Sequence, residues 1–165
     1  MAVLTEKRIG NWRCHKNRVC LSCVSVRKQD NLPQLMHITK QLAIFLDNRP
    51  GTLARVADAL AAEKISIYAI STSDTVDHSV VRLVVSDYRK AMHVFEQHGT
   101  LVVEDDVLVL DAGNRPGELS SIAHKLADAK VNIEYCYSAT PADAKKGLIV
   151  MRVSNPAKAL KALNS

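Results

Sequence analysis

Leu46-Asp47-Asn48-Arg49-Pro50-Gly51-Thr52-Leu53 returns 66 residues later as Ala112-Gly113-Asn114-Arg115-Pro116-Gly117-Glu118-Leu119. At the same offset Val56 matches Ile122, Leu60 matches Leu126, Lys64 matches Lys130, Ile65 matches Val131 and Ile67 matches Ile133. Farther on, Val85-Ser86-Asp87 corresponds to Val153-Ser154-Asn155 and Lys90-Ala91 to Lys158-Ala159, now 68 residues apart. Two residues have therefore been added within 139–146, a change that a hairpin loop accommodates. The chain of 165 residues carries a duplicated small domain.

Each copy has the same order of elements. Residues 42–46 form a short apolar strand. Leu53, Val56, Ala57, Leu60 and Ala61 follow the i, i+3, i+4, i+7, i+8 spacing of an amphipathic helix with one buried stripe. Stretches 65–72 and 80–85, rich in β-branched residues, read as a hairpin around the polar turn 73–77. A second helix over 89–98 stops near Gly99, a natural C′ residue, and 101–103 is a fourth strand. In the second copy the matching segments are 107–111, 119–129, 131–138, 148–153 and 156–163. The pattern βαββαβ predicts an α+β fold: two ferredoxin-like units in tandem, their antiparallel sheets joined in one layer with the helices on one face. The expected limits are 36–104 for the first domain and 105–165 for the second. By the repeat offset, the last strand of copy two falls beyond Ser165. The second copy is expected to be truncated and to leave its first strand as an open edge.

The net charge of +5 points away from nucleic acid once it is located. Residues 1–35 hold seven Lys/Arg and two acidic side chains, and the body from 36 onward holds fifteen of each sign. A neutral body offers no footprint for a phosphate backbone. The head shares no periodicity with the repeat and is expected to be a disordered basic extension. No apolar run reaches the roughly 20 residues of a membrane span. The N-terminus has no secretory h-region, so a cytoplasmic location is expected.

The repeated Asn-Arg-Pro-Gly joins a strand to a helix. Pro suits the first helical turn, and Gly lets another group approach the backbone. The leading N–H groups of a helix have no intrahelical acceptor and attract a carboxylate. The Asn48 and Asn114 amides add a donor and an acceptor, a set that suits a zwitterion such as an amino acid. The same residues also make a sound helix start with no ligand at all, Asn capping and Pro in the first turn.

The strand, (Asp/Gly)-Asn-Arg-Pro-Gly-x-Leu-x-x-(Val/Ile)-x-x-x-Leu and the following Lys-(Ile/Val)-x-Ile resemble the ACT domain, a regulatory module that binds amino acids. The resemblance covers 38–165 twice and is similar to stand-alone tandem ACT proteins. It implies a ligand held between adjacent domains, against the strand-to-helix loop of one and the second strand of its neighbour. Carried over by position, the loop residues are Asp47, Asn48, Arg49, Pro50, Gly51, Thr52 and Leu53, with Asn114, Arg115, Pro116, Gly117, Glu118 and Leu119. The second strands contribute Ile70, Ser71, Tyr137 and Ser138. Gly113 stands where copy one has Asp47, so a carboxylate able to meet an ammonium is expected only once and the two sites are expected to be unequal. The family also implies a homodimer and a metabolic enzyme as the regulated target. The alternative reading is a regulatory subunit similar to the small subunit of acetolactate synthase, for which the open edge of copy two would serve as a docking strand.

Other chemistry is weakly represented. Cys14-His15 with Cys20-x-x-Cys23 has enough ligands for one zinc but compresses them into ten residues, unlike two knuckles spaced by a folded stretch. His78, His93, His98 and His124 lack metal spacing, and Cys136 lies in a strand with no base expected beside it. No nucleophile–base–orienter set and no phosphate-binding glycine motif is present. The expectation is a binding protein with no catalytic residue, no metal and no cofactor.

Overall fold

A computed structural model describes residues 36–74, 78–141 and 143–164. The basic head with its three cysteines lies outside these residues. The elements are β1 (Met36–Asp47), α1 (Thr52–Ala62), β2 (Ile67–Asp74), β3 (His78–Val85), α2 (Tyr88–Gln97), β4 (Val102–Gly113), α3 (Glu118–Asp128), β5 (Ile133–Ala139), β6 (Lys146–Val153) and α4 (Pro156–Asn164). All strands join one antiparallel sheet in the order β2-β3-β1-β4-β6-β5. The α+β class and the duplicated ferredoxin-like order read from the sequence are those observed.

The open edge expected on copy two is not there. No strand follows α4 among the described residues, yet its place is filled from the other end of the chain. β1 is twelve residues long. Its second half pairs with β3 and, through Leu42, Ala43 and Ile44, with the start of β4, which completes copy one. Its first half, Met36 to Lys40, pairs with Leu110 to Asp106 of β4 and completes copy two. β4 is continuous in the same way, so the acidic triplet 104–106, at the expected boundary between the domains, lies within a strand. Its charges are met by partners distant in sequence. Lys40 Nζ lies 3.4 Å from Glu104 and 3.1 Å from Asp106, and Arg152 lies 3.0 Å from Asp105.

The register puts even positions of β1 and β4 on one face. There Leu42, Ile44 and Leu46 pack with Val81, Leu83 and residues of α1 and α2, among them Leu60 and the fully buried Phe95. Leu108 and Leu110 pack likewise with Met151, α3 and α4, joined by Met36. All four helices therefore cover one face. The stripe of α1 is Thr52, Val56 and Leu60, whereas Leu53 is 45% exposed and Ala57 and Ala61 face solvent. Both first helices end in Schellman turns. Lys64 (φ 58°) and Lys130 (φ 52°) take the left-handed position, and Ile65 and Val131 donate back to Leu60 and Leu126. Gly99 does the same for α2, as its position suggested.

The helix-free face is concave. In a flat sheet β5 would lie about 14 Å from β1, three strand spacings away. Gln41 of β1 nevertheless donates from Nε2 to the Tyr135 hydroxyl at 2.6 Å, and Tyr137 donates to Gln41 Oε1 at 3.0 Å. Register shifts between Ile67 and Ala69 and between Ile133 and Tyr135 place a bulge at the same point of both copies. Bulges sharpen local twist, and here they turn the two edge strands, β2 and β5, toward each other.

His37 lies on this face, and its Nδ1 is buried without a hydrogen-bond partner among the described residues. Burial holds its pKa below the ordinary value. The unfolded chain takes up a proton at higher pH than the folded one, so stability is full above the unfolded value of about 6.5 and is lost as pH falls through the folded pKa. The thermal midpoint is expected to drop more between pH 7.5 and 5.5 in the native sequence than in His37→Gln. Equal drops would exclude His37 as the cause.

Candidate functional site

Each strand-to-helix loop is a type II turn. The Thr52 N–H donates to Arg49 O at 3.2 Å and the Glu118 N–H to Arg115 O at 3.2 Å. Pro50 and Pro116 occupy the second position of these turns, where their fixed φ is suited. Gly51 (φ 85°, ψ −11°) and Gly117 (φ 91°, ψ −9°) occupy the third, which demands positive φ. Pro therefore precedes the helix and does not lie in its first turn, and the helix cap is the glycine, with no side-chain cap bond. Asn114 does not cap either. Its Nδ2 donates to Ala144 O at 2.9 Å and Pro141 O at 3.4 Å, and its N–H to Lys145 O at 3.0 Å. Those donors tie the loop to the β5–β6 hairpin and leave the side-chain oxygen as the amide's remaining acceptor.

The acidic group is present in both copies, at different addresses. Asp47 ends β1, with its carboxylate 3.9 Å from His78 Nδ1. A Cβ added to Gly113 would stand 3.2 Å from Glu118 Oε2 and 3.4 Å from Arg115 Nε. Glu118, paired with Arg115 at 3.3 Å, occupies the space a side chain at 113 would need. Gly113 therefore leaves room for Glu118, which brings a carboxylate, paired with Arg115, to the loop of copy two.

The expected site residues fall into two groups. Thr52 lines a cavity of about 360 Å³ on the helix side of copy one, with Arg55, Phe95 and His98. Glu118 lines the equivalent cavity of copy two, about 150 Å³, with Ser121, Lys125 and Met36. Ile70, Ser71, Tyr137 and Ser138 instead come together at a cavity between the two edge strands. They line a cavity of about 410 Å³ between the 67–71 stretch of β2 and residues 137–139 of β5, floored by Leu148 and Val150. The second strands of the two copies thus share one cavity, and within a single chain the loops line others. Burial pushes the Tyr137 hydroxyl pKa well above its ordinary value; the neighbouring Tyr135 adds to the shift and Arg82 opposes it. Tyr137 stays protonated at neutral pH and acts as the donor to Gln41. Sequence reading missed Gln41, Tyr135 and Arg82, all of which look like unremarkable polar members of strands.

Among the described residues, no group of three or more His, Cys, Asp or Glu could hold a metal ion, and no helix is long and apolar enough to cross a membrane.

The model of the ACT domain pair matches residues 36–164. The chain belongs to the ACT domain pair family. ACT domains are regulatory rather than catalytic modules. The crystal structure of protein BT0572 from Bacteroides thetaiotaomicron is similar at 32% identity, covering 78% of this chain and 88% of that one, with a TM-score of 0.73. The ligand-free regulatory subunit of aspartate kinase from Thermus thermophilus shares the fold at 16% identity, over 79% of this chain and 97% of that one, with a TM-score of 0.59. The regulatory subunit of aspartate kinase from Thermus flavus does so at 18%, 79%, 95% and 0.55. No sequence match is found among curated proteins. In this ACT pair the strand exchange at β1 and β4 makes the two domains one body from Met36 to Asn164.

Proposed function

We propose that this ACT pair is a cytoplasmic sensor that binds an amino acid between ACT domains and regulates a metabolic enzyme, without catalysis of its own. The observation that carries the reading is the convergence of Ile70 and Ser71 with Tyr137 and Ser138 on one cavity. The loops 47–53 and 113–119 complete the ligand surface in a homodimer, where the exposed Leu53 and Leu119 (45% and 48%) are covered by the second chain. In this reading residues 1–35 are an appendage and 36–164 is the sensor. The open edge that favoured an enzyme-subunit reading is occupied by β1, so the edge itself no longer argues for that reading.

A thermal-shift screen of the full chain against the twenty amino acids tests this. A ligand at a hundred times its Kd stabilises by about 2.7 kcal/mol. Calorimetry on the responding amino acid should then show affinity at least about tenfold lower in Asp47→Ala combined with Glu118→Ala, since each removes a charge-assisted contact to the ammonium. No shift with any amino acid would defeat the sensor reading; unchanged affinity in the double variant would remove the loops from the site.

A further inference from the structure

Among the described residues two arginines face the concave side of the sheet, and one of them, Arg152, has acidic partners. Arg152 is met by Asp105 and Glu134, each at 3.0 Å. Arg82, half-buried on β3, has neutral company. Its Nη1 donates to Ser73 Oγ at 3.1 Å, and its guanidinium carbon lies 4.8 Å from the centre of the Tyr135 ring. No acidic side chain pairs with it among the described residues. A guanidinium drawn partly out of water without a counter-charge is unfavourable unless something else satisfies it. Stacking on Tyr135 occupies its face, and one of its five N–H donors goes to Ser73. The in-plane edge remains for a planar anion.

Arg82 does not itself line the cavity but stands one strand behind it. Arg82 is the cross-strand partner of Ser71 on the same face, and such partners hold their Cβ atoms about 5 Å apart. Ser71 lines the 410 Å³ space, a volume suited to a small ligand. The wall itself is uncharged: Ile70, Tyr137, Ser138, Leu148 and Val150 are typical. A charge on the body of a ligand, beyond an α-ammonium that the loops of a second chain would meet in the sensor reading, would lie against that wall with no partner.

We infer that the cavity between β2 and β5 takes a small carboxylate with an uncharged apolar body, its carboxylate paired with Arg82. Tyr135 is a positioning residue that holds the guanidinium plane. The inference rests on the sensor reading for the idea that the second strands face a ligand, and it adds the anchor and the chemical class: an apolar amino acid or its deaminated acid, not lysine or aspartate.

Calorimetry on the full chain with leucine, isocaproate, isoamylamine and lysine tests the inference. Leucine and isocaproate should bind; isoamylamine, the same body without the carboxylate, should not, and lysine should be at least about tenfold weaker than leucine. Arg82→Gln should weaken leucine by about tenfold to a hundredfold, the loss of one charge-assisted contact, with Arg82→Lys between. Should Arg82→Gln fold poorly by near-ultraviolet circular dichroism, Ser71→Asp supplies an internal carboxylate beside Arg82. It should abolish isocaproate binding while keeping or raising the ligand-free thermal midpoint. Equal binding of leucine and isocaproate to the native chain and to Arg82→Gln, isoamylamine binding as tightly as isocaproate, or no binding of either carboxylate would overturn the inference. The two readings separate cleanly. Amino-acid binding lost in the Asp47/Glu118 double variant but not in Arg82→Gln sinks the anchor alone. Isocaproate binding lost in Arg82→Gln, with no amino acid bound, sinks the amino-acid sensor alone.

Discussion

A chain that starts at Gln41 is expected to lose the fold of copy two, although it keeps every residue that the repeat assigns to that copy. The comparison is with a chain that starts at Met36. Residues 36–40 supply the strand opposite Asp106 to Leu110, and Met36 packs into the core formed by α3, α4 and β6. Each backbone hydrogen bond of that ladder contributes about 1 kcal/mol net, and the half-buried Met36 adds about 1 kcal/mol. The expected loss is about 3 kcal/mol or more, a large part of a stability that is commonly about 5–15 kcal/mol. Amide exchange should show Val107 to Leu110 and the buried Leu126 deprotected. Thermal midpoints within about 2 °C of each other would show that the β1 exchange contributes little.

Gln41→Leu is expected to destabilise by about 2–4 kcal/mol even though it adds apolar surface to an interior position. Gln41 is 0% exposed, and its amide both accepts from Tyr137 and donates to Tyr135. Leucine leaves two hydroxyls on the concave side without that partner, at about 1–3 kcal/mol for each one fully shielded from water. Tyr135→Phe with Tyr137→Phe in the same background should recover most of the loss, because an all-apolar cluster has no unpaired group. The coupling between the substitutions is read from a thermodynamic cycle of denaturant midpoints. If Gln41→Leu were neutral, the curl of the sheet would have to be held by the bulges and the apolar contacts of Val84, Val107, Val109 and Val150 alone.

The repeat made most of the fold legible. Helices and strands followed from local periodicity, and the offsets of 66 and then 68 checked them against their twins. Three features escaped for one reason, that their causes lie far away in sequence. Glu104-Asp105-Asp106 has the composition of a loop, and only Lys40 and Arg152 make it tolerable as strand. The last strand of copy two could not be found by moving forward along the chain, because it precedes the first. Arg82 alternates with Val81 and Leu83 as any solvent-facing strand residue does, until the curl encloses it. Of the candidate site, the loops were found by their motif and the second strands by resemblance. The roles of Pro50 and Asn114 were not, because a type II turn and a hairpin tie depend on backbone angles and a distant carbonyl.

The shared strand also sets a timetable for synthesis. Met36 to Lys40 is made well before its partners Asp106 to Leu110, about 70 residues downstream. At translation speeds of roughly 5–20 residues per second, that interval is about 4–14 s. During it the first half of β1 has an apolar residue, Met36, and a ladder of backbone groups with nothing to bind, while α1, β2 and β3 can already assemble on its second half. The earliest part of the ACT pair to be synthesised is therefore among the last to be locked in place, and the protein is born with its own closing strand held in reserve.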